Sequence, residues 1–120
     1  MRTGDDVPAV VRDASFGDLM HEMSRKGLGA TAVVDTNRRV LGIFTDGDLR
    51  RLVEKGLDLR QATAAEVMHP MPRTMKADAL AVEAADLMEK HRITSVLVVD
   101  GDGALCGALN SNDLMRAKVI

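Results

Sequence analysis

The apolar and polar positions of this chain predict a short series of strands and helices. Residues 9–11 form an apolar run that predicts a strand, and apolar side chains then recur over residues 16–23 at the spacing of a helix with one buried face. Gly27 and Gly29 predict the end of that helix. Residues 31–34 and 40–44 are predicted as hairpin strands around a polar turn, and residues 48–55 have helical spacing as far as Gly56. The predicted order is strand, helix, strand, strand, helix.

The same order of predicted elements recurs 65 residues later without a gap, so the chain contains an internal repeat. In the second copy, strands are predicted at residues 73–75, 95–99 and 104–109. Helices are predicted at residues 79–91, with Leu80 on the apolar face, and from residue 112 onward. Ten residues are identical between the copies: Asp13/Asp78, Ala14/Ala79, Met23/Met88, Val33/Val98, Val34/Val99, Asp35/Asp100, Gly42/Gly107, Asp48/Asp113, Leu49/Leu114 and Arg51/Arg116.

The repeat predicts an α+β fold of two βαββα units. A unit of roughly 60 residues buries too little apolar surface to be stable alone, so we expect the two units to pack face to face about a pseudo-two-fold axis. Repeat 1 is predicted over residues 1–60, a connector over residues 61–72 and repeat 2 over residues 73–120. Within the connector, Thr63 and Glu66 have the spacing of a capping box, which predicts one short helix before Pro70 and Pro72.

Composition narrows the class of protein. The formal net charge of the 120-residue chain is −2, so it lacks the basic surface that non-specific nucleic-acid binding requires. No apolar run approaches the roughly 20 residues that span a bilayer, and no secretory signal is recognisable, so a cytoplasmic location is expected. The single cysteine, Cys106, excludes an internal disulfide. The three histidines lack metal-ligand spacing, and no catalytic set of nucleophile, base and acid occurs.

The strongest candidate for chemistry is the junction where the fourth element of each repeat becomes the fifth. Residues 42–49 and 107–114 both place a glycine, a polar side chain and an aspartate at a strand-to-helix transition. Unpaired N–H groups at a helix N-terminus suit an anion, and a carboxylate nearby can accept hydrogen bonds from ribose hydroxyls. The alternative is purely structural, because Thr45 with Asp48 and Asn110 with Asp113 also fit N-terminal helix caps. The two roles are compatible.

These junctions carry a family resemblance that covers almost the whole chain. Residues 42–49, repeated 65 positions later, resemble the signature of cystathionine-β-synthase (CBS) domains. That family implies tandem βαββα units, with two clefts that take adenosine nucleotides or related effectors and regulate an attached protein. More narrowly, residues 2–6, 25–29, 42–51 and 65–68 are similar to the C-terminal pair of D-arabinose 5-phosphate isomerases. That resemblance implies an attached sugar isomerase domain, in the pathway to 3-deoxy-manno-octulosonate (Kdo) and lipopolysaccharide.

The resemblance also implies roles for individual residues. Asp48 and Asp113 would hold ribose hydroxyls, Thr45 and its neighbours would face phosphate, and Thr31, Thr94 and Ser95 would line base pockets. No catalytic or metal-binding residue is expected. The complete set of expected ligand-binding residues is Thr31, Thr45, Asp46, Gly47, Asp48, Arg92, Thr94, Ser95, Asn110, Ser111, Asn112 and Asp113.

The second junction departs from the family pattern, because Asn110 stands where Thr or Ser is expected and Ser111 and Asn112 add further polar groups. Such groups could read a sugar acid or a cytosine edge, so CMP-Kdo is the first effector hypothesis, with AMP or ATP as the alternative. CBS pairs commonly form dimers, and a homodimer is expected. Two other functions stay open at this point: a structural oligomerisation module with empty clefts, and an adenylate sensor that acts in trans.

Overall fold

The computed structural model describes residues 1–79 and 81–116. Its elements, in chain order, are β1 (Arg2–Thr3), a 3₁₀ turn (Gly4–Asp6), β2 (Ala9–Val11), α1 (Phe16–Lys26), β3 (Ala30–Val34), β4 (Val40–Thr45), α2 (Asp46–Glu54), α3 (Ala64–Val67), β5 (His69–Pro70), β6 (Thr74–Lys76), α4 (Ala81–His91), β7 (Ser95–Val99), β8 (Leu105–Asn110) and α5 (Ser111–Arg116).

The predicted α+β fold of two βαββα units is confirmed. Elements β2 to α2 form the first unit and elements β6 to α5 the second. The boundaries of the helices and strands differ from the predicted ones by one or two residues, which is the usual uncertainty at the ends of such elements. The expected connector helix is α3, in which the Thr63 N–H donates to Glu66 Oε1 at 3.2 Å. Leu80, predicted on the apolar face of α4, and residues 117–120 lie outside the described residues.

Two four-stranded sheets form the centre of the molecule. Each sheet contains three strands of one repeat and one outer strand, β1 or β5, from elsewhere in the chain. The orders are β2-β3-β4-β5 and β1-β8-β7-β6. Strand β1 precedes repeat 1 but pairs antiparallel with β8 of repeat 2. Strand β5, in the connector, pairs antiparallel with β4 of repeat 1. Both outer strands were missed from sequence, because a two-residue strand has no periodicity to detect.

The repeated glycine pair is explained by these outer strands. A Cβ on Gly42 would lie 2.9 Å from the carbonyl oxygen of His69, in β5, and one on Gly107 would lie 3.1 Å from that of Arg2, in β1. Both distances are shorter than ordinary van der Waals contact. The glycines therefore admit a neighbouring backbone, whereas the sequence suggested that they admit a ligand.

The main core lies between the two sheets. On β3, Ala30, Ala32 and Val34 point to one face, where they share a buried cluster with Leu97 and Leu105 of the other repeat. The opposite face of each sheet is covered by its own helices, because strand side chains alternate between faces. The predicted face-to-face packing is thus present, and it brings the two strand-to-helix junctions to the same side of the molecule. Among the described residues, no helix is long and apolar enough to cross a membrane.

Candidate functional site

The two junctions line one continuous cleft of about 770 Å³ between the repeats. The family resemblance implied two clefts, but here the β4–α2 and β8–α5 junctions face the same space. Each junction is tied to the start of a neighbouring strand by a backbone hydrogen bond, from Asp46 N–H to Gly29 O at 3.1 Å and from Ser111 N–H to Thr94 O at 2.9 Å. Ten of the twelve expected ligand-binding residues line the cleft: Thr45, Asp46, Gly47, Asp48, Arg92, Thr94, Ser95, Asn110, Ser111 and Asn112.

Both junctions form the reciprocal helix caps that the sequence permits. In the first, Thr45 Oγ1 accepts from the Asp48 N–H at 3.2 Å, and Asp48 Oδ2 accepts from the Thr45 N–H at 2.9 Å. In the second, Asn110 Oδ1 accepts from the Asp113 N–H at 3.0 Å, and Asp113 Oδ2 accepts from the Asn110 N–H at 2.8 Å. The structural role of these residues is therefore real in both repeats.

The two aspartates nevertheless differ in their access to the cleft. Asp48 lines it, and its second oxygen, Oδ1, accepts from Arg51 Nη2 at 2.5 Å. Asp113 is half-buried and is not among the lining residues. A ribose hydroxyl could reach Asp48 by displacing the exposed Arg51 side chain.

Thr31 also lies away from the cleft, and the expectation that it lines a base pocket is corrected by its position. It is fully buried, and it pairs across the sheet with Phe44, which packs against α1. Its side chain therefore points to the helix-covered face, because Thr31 alternates with the inward Ala30 and Ala32. Within the described part of the chain, the Thr31 hydroxyl has no hydrogen-bond partner.

Four arginines line the cleft. Arg50 and Arg51 come from α2, and a Cβ on Gly47 would lie 3.5 Å from Arg51 Nη1, so that guanidinium covers the helix N-terminus. Arg92 follows α4, and Arg73 comes from the connector. The four arginines outnumber Asp46 and Asp48, the two lining carboxylates, so the cleft is positive although the chain is negative.

Two histidines, His69 and His91, also line the cleft. Partial burial lowers the pKa of His91 below its ordinary value of 6.5, and the charges of Arg73 and Lys90 lower it further. The expected set of ligand-binding residues includes Arg92 but omits His69 and Arg73. Their position depends on the pairing of β5 with β4, which local sequence does not indicate.

Polar groups also line the cleft. Asn110 Nδ2 donates to Leu28 O of repeat 1 at 3.4 Å, which links the second junction to the start of β3. Thr94, Ser95, Ser111 and Asn112 add hydroxyl and amide groups to the same wall. The cleft therefore combines positive side chains with neutral hydrogen-bonding groups. That combination suits a ligand with an anionic group and a polar ring or sugar.

Comparison with known proteins places this arrangement in a family. The model of the CBS domain matches residues 1–55 and again residues 64–120. The chain therefore belongs to the CBS-domain family and is a tandem CBS pair.

The chain is similar along its full length to arabinose 5-phosphate isomerases. The chain is 48% identical over its full length to arabinose 5-phosphate isomerase KdsD of Escherichia coli K12 and 45% identical to that of Pseudomonas aeruginosa. It spans 36% and 37% of the length of these relatives.

Solved structures confirm the fold. A CBS domain protein of Pyrobaculum aerophilum complexed with AMP has a TM-score of 0.84 at 24% identity, over 95% of this chain and 85% of that one. CBSX2 in complex with AMP has a TM-score of 0.83 at 23% identity, over 99% of this chain and 92% of that one. At such identity the likeness concerns the fold alone.

Proposed function

We propose that this chain is the regulatory CBS pair of an arabinose 5-phosphate isomerase and binds a nucleotide in the cleft between its repeats. The observation that carries the proposal is the cleft itself, in which both junctions, four arginines and a wall of hydroxyl and amide groups face one space. The match to arabinose 5-phosphate isomerases over the whole chain supports the parent enzyme. Catalysis would belong to the rest of that parent, which this chain does not include.

The chemistry of the cleft favours an anionic nucleotide over a neutral ligand. Phosphate would be attracted to the arginines, and Asp48 is placed to accept from a sugar hydroxyl if Arg51 moves. AMP is one effector to test, because two proteins of this fold are complexed with it. CMP-Kdo is the other, because Asn110, Ser111 and Asn112 supply amide and hydroxyl groups suited to cytosine or a sugar acid.

Regulation would follow if the effector binds one packing of the two repeats better than another. Ligand contacts come from both repeats and from the connector, so binding depends on their relative position. A ligand shifts a conformational equilibrium only by its difference in affinity for the two states. A homodimer in the cytoplasm is the setting that we propose for this switch.

A second function has its own support. Both junctions are complete helix caps, and their aspartates already have hydrogen-bond partners. Such residues would be required even if the cleft stayed empty and the pair only held subunits together. This structural reading is the alternative that the experiment must separate from nucleotide binding.

Thermal melting of the chain with AMP, ATP, CMP, CMP-Kdo, Kdo and arabinose 5-phosphate separates the two functions. A nucleotide at 100 times its Kd should stabilise the fold by about 2.7 kcal/mol. Stabilisation by none of these compounds would favour the structural module.

A matched pair of variants tests the role of the aspartates. Asparagine keeps an oxygen for the cap but removes the charge, so Asp48→Asn should lower the stabilisation by the nucleotide by about 1.5 to 2.5 kcal/mol. Asp113→Asn is the control and should leave it unchanged, because Asp113 does not line the cleft. Equal effects of both variants would contradict the assignment of Asp48.

A further inference from the structure

The two halves of the cleft have the same backbone but different side chains. Pairing registers and the 65-residue offset relate Arg2, Lys26 and Gly27 in one half to His69, His91 and Arg92 in the other. The second set lines the cleft, whereas the first set is absent from its lining. The pseudo-two-fold axis therefore relates an open half to a closed one.

The closed half is held shut by the N-terminal segment. The Arg2 guanidinium donates to Lys26 O, and also to Gly27 O at 3.5 Å. The Lys26 ammonium donates in turn to Asp5 O and lies 3.5 Å from Glu22 Oε2. The cations of this half are thus already satisfied by the chain itself. Asn110 closes the remaining gap through its bond to Leu28 O.

The open half contains a residue with an unfavourable backbone. Arg92 has a φ of 53°, in the left-handed region that favours glycine, and the related residue Gly27 has a φ of 67°. Both stand directly after a helix, where glycine is the common cap. An arginine there costs conformational energy that a glycine would not, and its side chain lines the cleft. Near it, the charge of Arg73 reaches His91.

We propose that the pair binds one nucleotide per chain, with its phosphate against Arg73 and Arg92 in the open half. The inference rests on the proposed function and adds the number and orientation of the ligand. Arg2 and Lys26 of the closed half do not provide a second phosphate site, because they are engaged by backbone carbonyls and Glu22. The base and sugar then face the first junction and the polar wall.

Arg92→Gly is a sharp test because it should remove a ligand contact without harming the fold. Glycine relieves the positive φ, so the melting temperature without ligand should be unchanged or rise by about 2 to 4 °C. The matched control is Arg38→Gly. Arg38 also has a positive φ, of 62°, and its related residue is Gly103, with a φ of 83°. Arg38 does not line the cleft.

Isothermal titration calorimetry with AMP, adenosine, CMP-Kdo and cytidine is the measurement. We expect one site per chain, and a Kd for AMP or CMP-Kdo that Arg92→Gly and Arg73→Ala each weaken about 10- to 100-fold. The Kd of Arg38→Gly for the same nucleotide should stay within about twofold of the native value. Adenosine and cytidine should bind more weakly, and Arg92→Gly should change their Kd by less than about twofold, because these nucleosides lack phosphate.

Four outcomes would count against the inference. Two sites per chain, or equal affinities of Arg92→Gly and Arg38→Gly for the same nucleotide, would overturn the inference and leave nucleotide binding intact. Equal losses of nucleoside and nucleotide affinity would show that Arg92 does not contact phosphate. Absence of binding by all four compounds would remove the proposed function and the inference together.

Discussion

The segments that follow α1 and α4 have similar backbones but different side chains. After α1, the chain reads Lys-Gly-Leu-Gly-Ala at residues 26–30, and after α4 it reads His-Arg-Ile-Thr-Ser at residues 91–95. Both segments leave a helix through a left-handed residue and enter a buried strand. The first is mostly small and apolar, and its Lys26 and Gly27 carbonyls accept from the Arg2 guanidinium. The second lines the cleft with polar and positive groups. The identical glycines at positions 42 and 107 therefore report the fold, whereas the differing residues 26–30 and 91–95 distinguish the two halves of the cleft.

Replacing the repeated glycines should have the largest effect on stability. Gly42→Ala would press a methyl group against the Met68 side chain and the His69 carbonyl, 2.9 Å away, and should cost about 2 to 3 kcal/mol. Gly107→Ala should cost about 1 kcal/mol. Its backbone neighbour is farther, at 3.1 Å, and the Met1 side chain can move.

Urea denaturation measures both losses. Gly101→Ala is the control, because no heavy atom lies within 4 Å of its added Cβ, and it should stay within about 0.5 kcal/mol of the native chain. If Gly42→Ala were as stable as Gly101→Ala, the close approach of β5 would be excluded.

Removal of a buried charge that only repeat 1 contains should have the next largest effect. Glu22 is 9% exposed, and its Oε2 accepts from the Ala9 N–H at 2.9 Å. The related residue in repeat 2 is Leu87. Burial alone would raise the pKa of Glu22. Hydrogen bonds from Ala9 and Arg25, with the charges of Lys26 and Arg25, outweigh burial and lower it below 4.5. Glu22→Gln should therefore cost about 1 to 2 kcal/mol at pH 7.

The pH dependence of that loss checks its cause. A lowered pKa in the folded state gives stability that is fully present above pH 4.5 and is lost as pH falls through the folded-state pKa. The difference between the native chain and Glu22→Gln in urea denaturation should therefore shrink below pH 4.5. Glu89→Gln, on the exposed side of α4, is the control and should change stability little. A difference that stayed constant with pH would contradict the charge argument.

The two helix caps should contribute about equally to the free energy of unfolding, whereas only Asp48 is expected to contribute to ligand binding. Asp113→Ala removes one reciprocal cap and should cost about 1 kcal/mol. Asp48→Ala removes the same cap and the ion pair with Arg51, whose side chain is 64% exposed, so the extra loss should stay below about 0.5 kcal/mol. Urea denaturation without ligand measures both. A cost at Asp48 several times that at Asp113 would contradict the equivalence of the caps.

The smallest effect concerns His91. Because its pKa lies below 6.5, the folded state binds this proton less readily than the unfolded state does. Stability should therefore fall slightly as pH drops through 6.5 toward the folded-state pKa. An anion beside Arg73 would offset the repulsion, so AMP or CMP-Kdo should raise the pKa of His91 in an NMR titration of its imidazole. An unchanged pKa under saturating ligand would place the anion away from Arg73.

Features of the fold and of the site could be predicted from the sequence where they depend on neighbouring residues or on the repeat. Helix α1 and strands β3 and β7 follow from periodicity, and the repeat predicts their packing. The outer strands β1 and β5 do not, because their partners belong to other segments of the chain. For the same reason, Arg73 and His69 were not expected at the site. The expectation for Thr31 was wrong for a different reason. Thr31 is related to Val96, not to Thr94 or Ser95, so the repeat register already argued against it.

The central claim is that one nucleotide binds the open half of the cleft. A titration of the isotope-labelled chain with AMP, and separately with CMP-Kdo, tests it most directly through assigned backbone amide shifts in ¹H–¹⁵N NMR spectra. We predict saturable shifts centred on residues 45–48 and 92–95, with residues 2–6 and 26–27 nearly unchanged. Shifts centred on residues 2–6 and 26–27, or no saturable shift with either nucleotide, would contradict the claim.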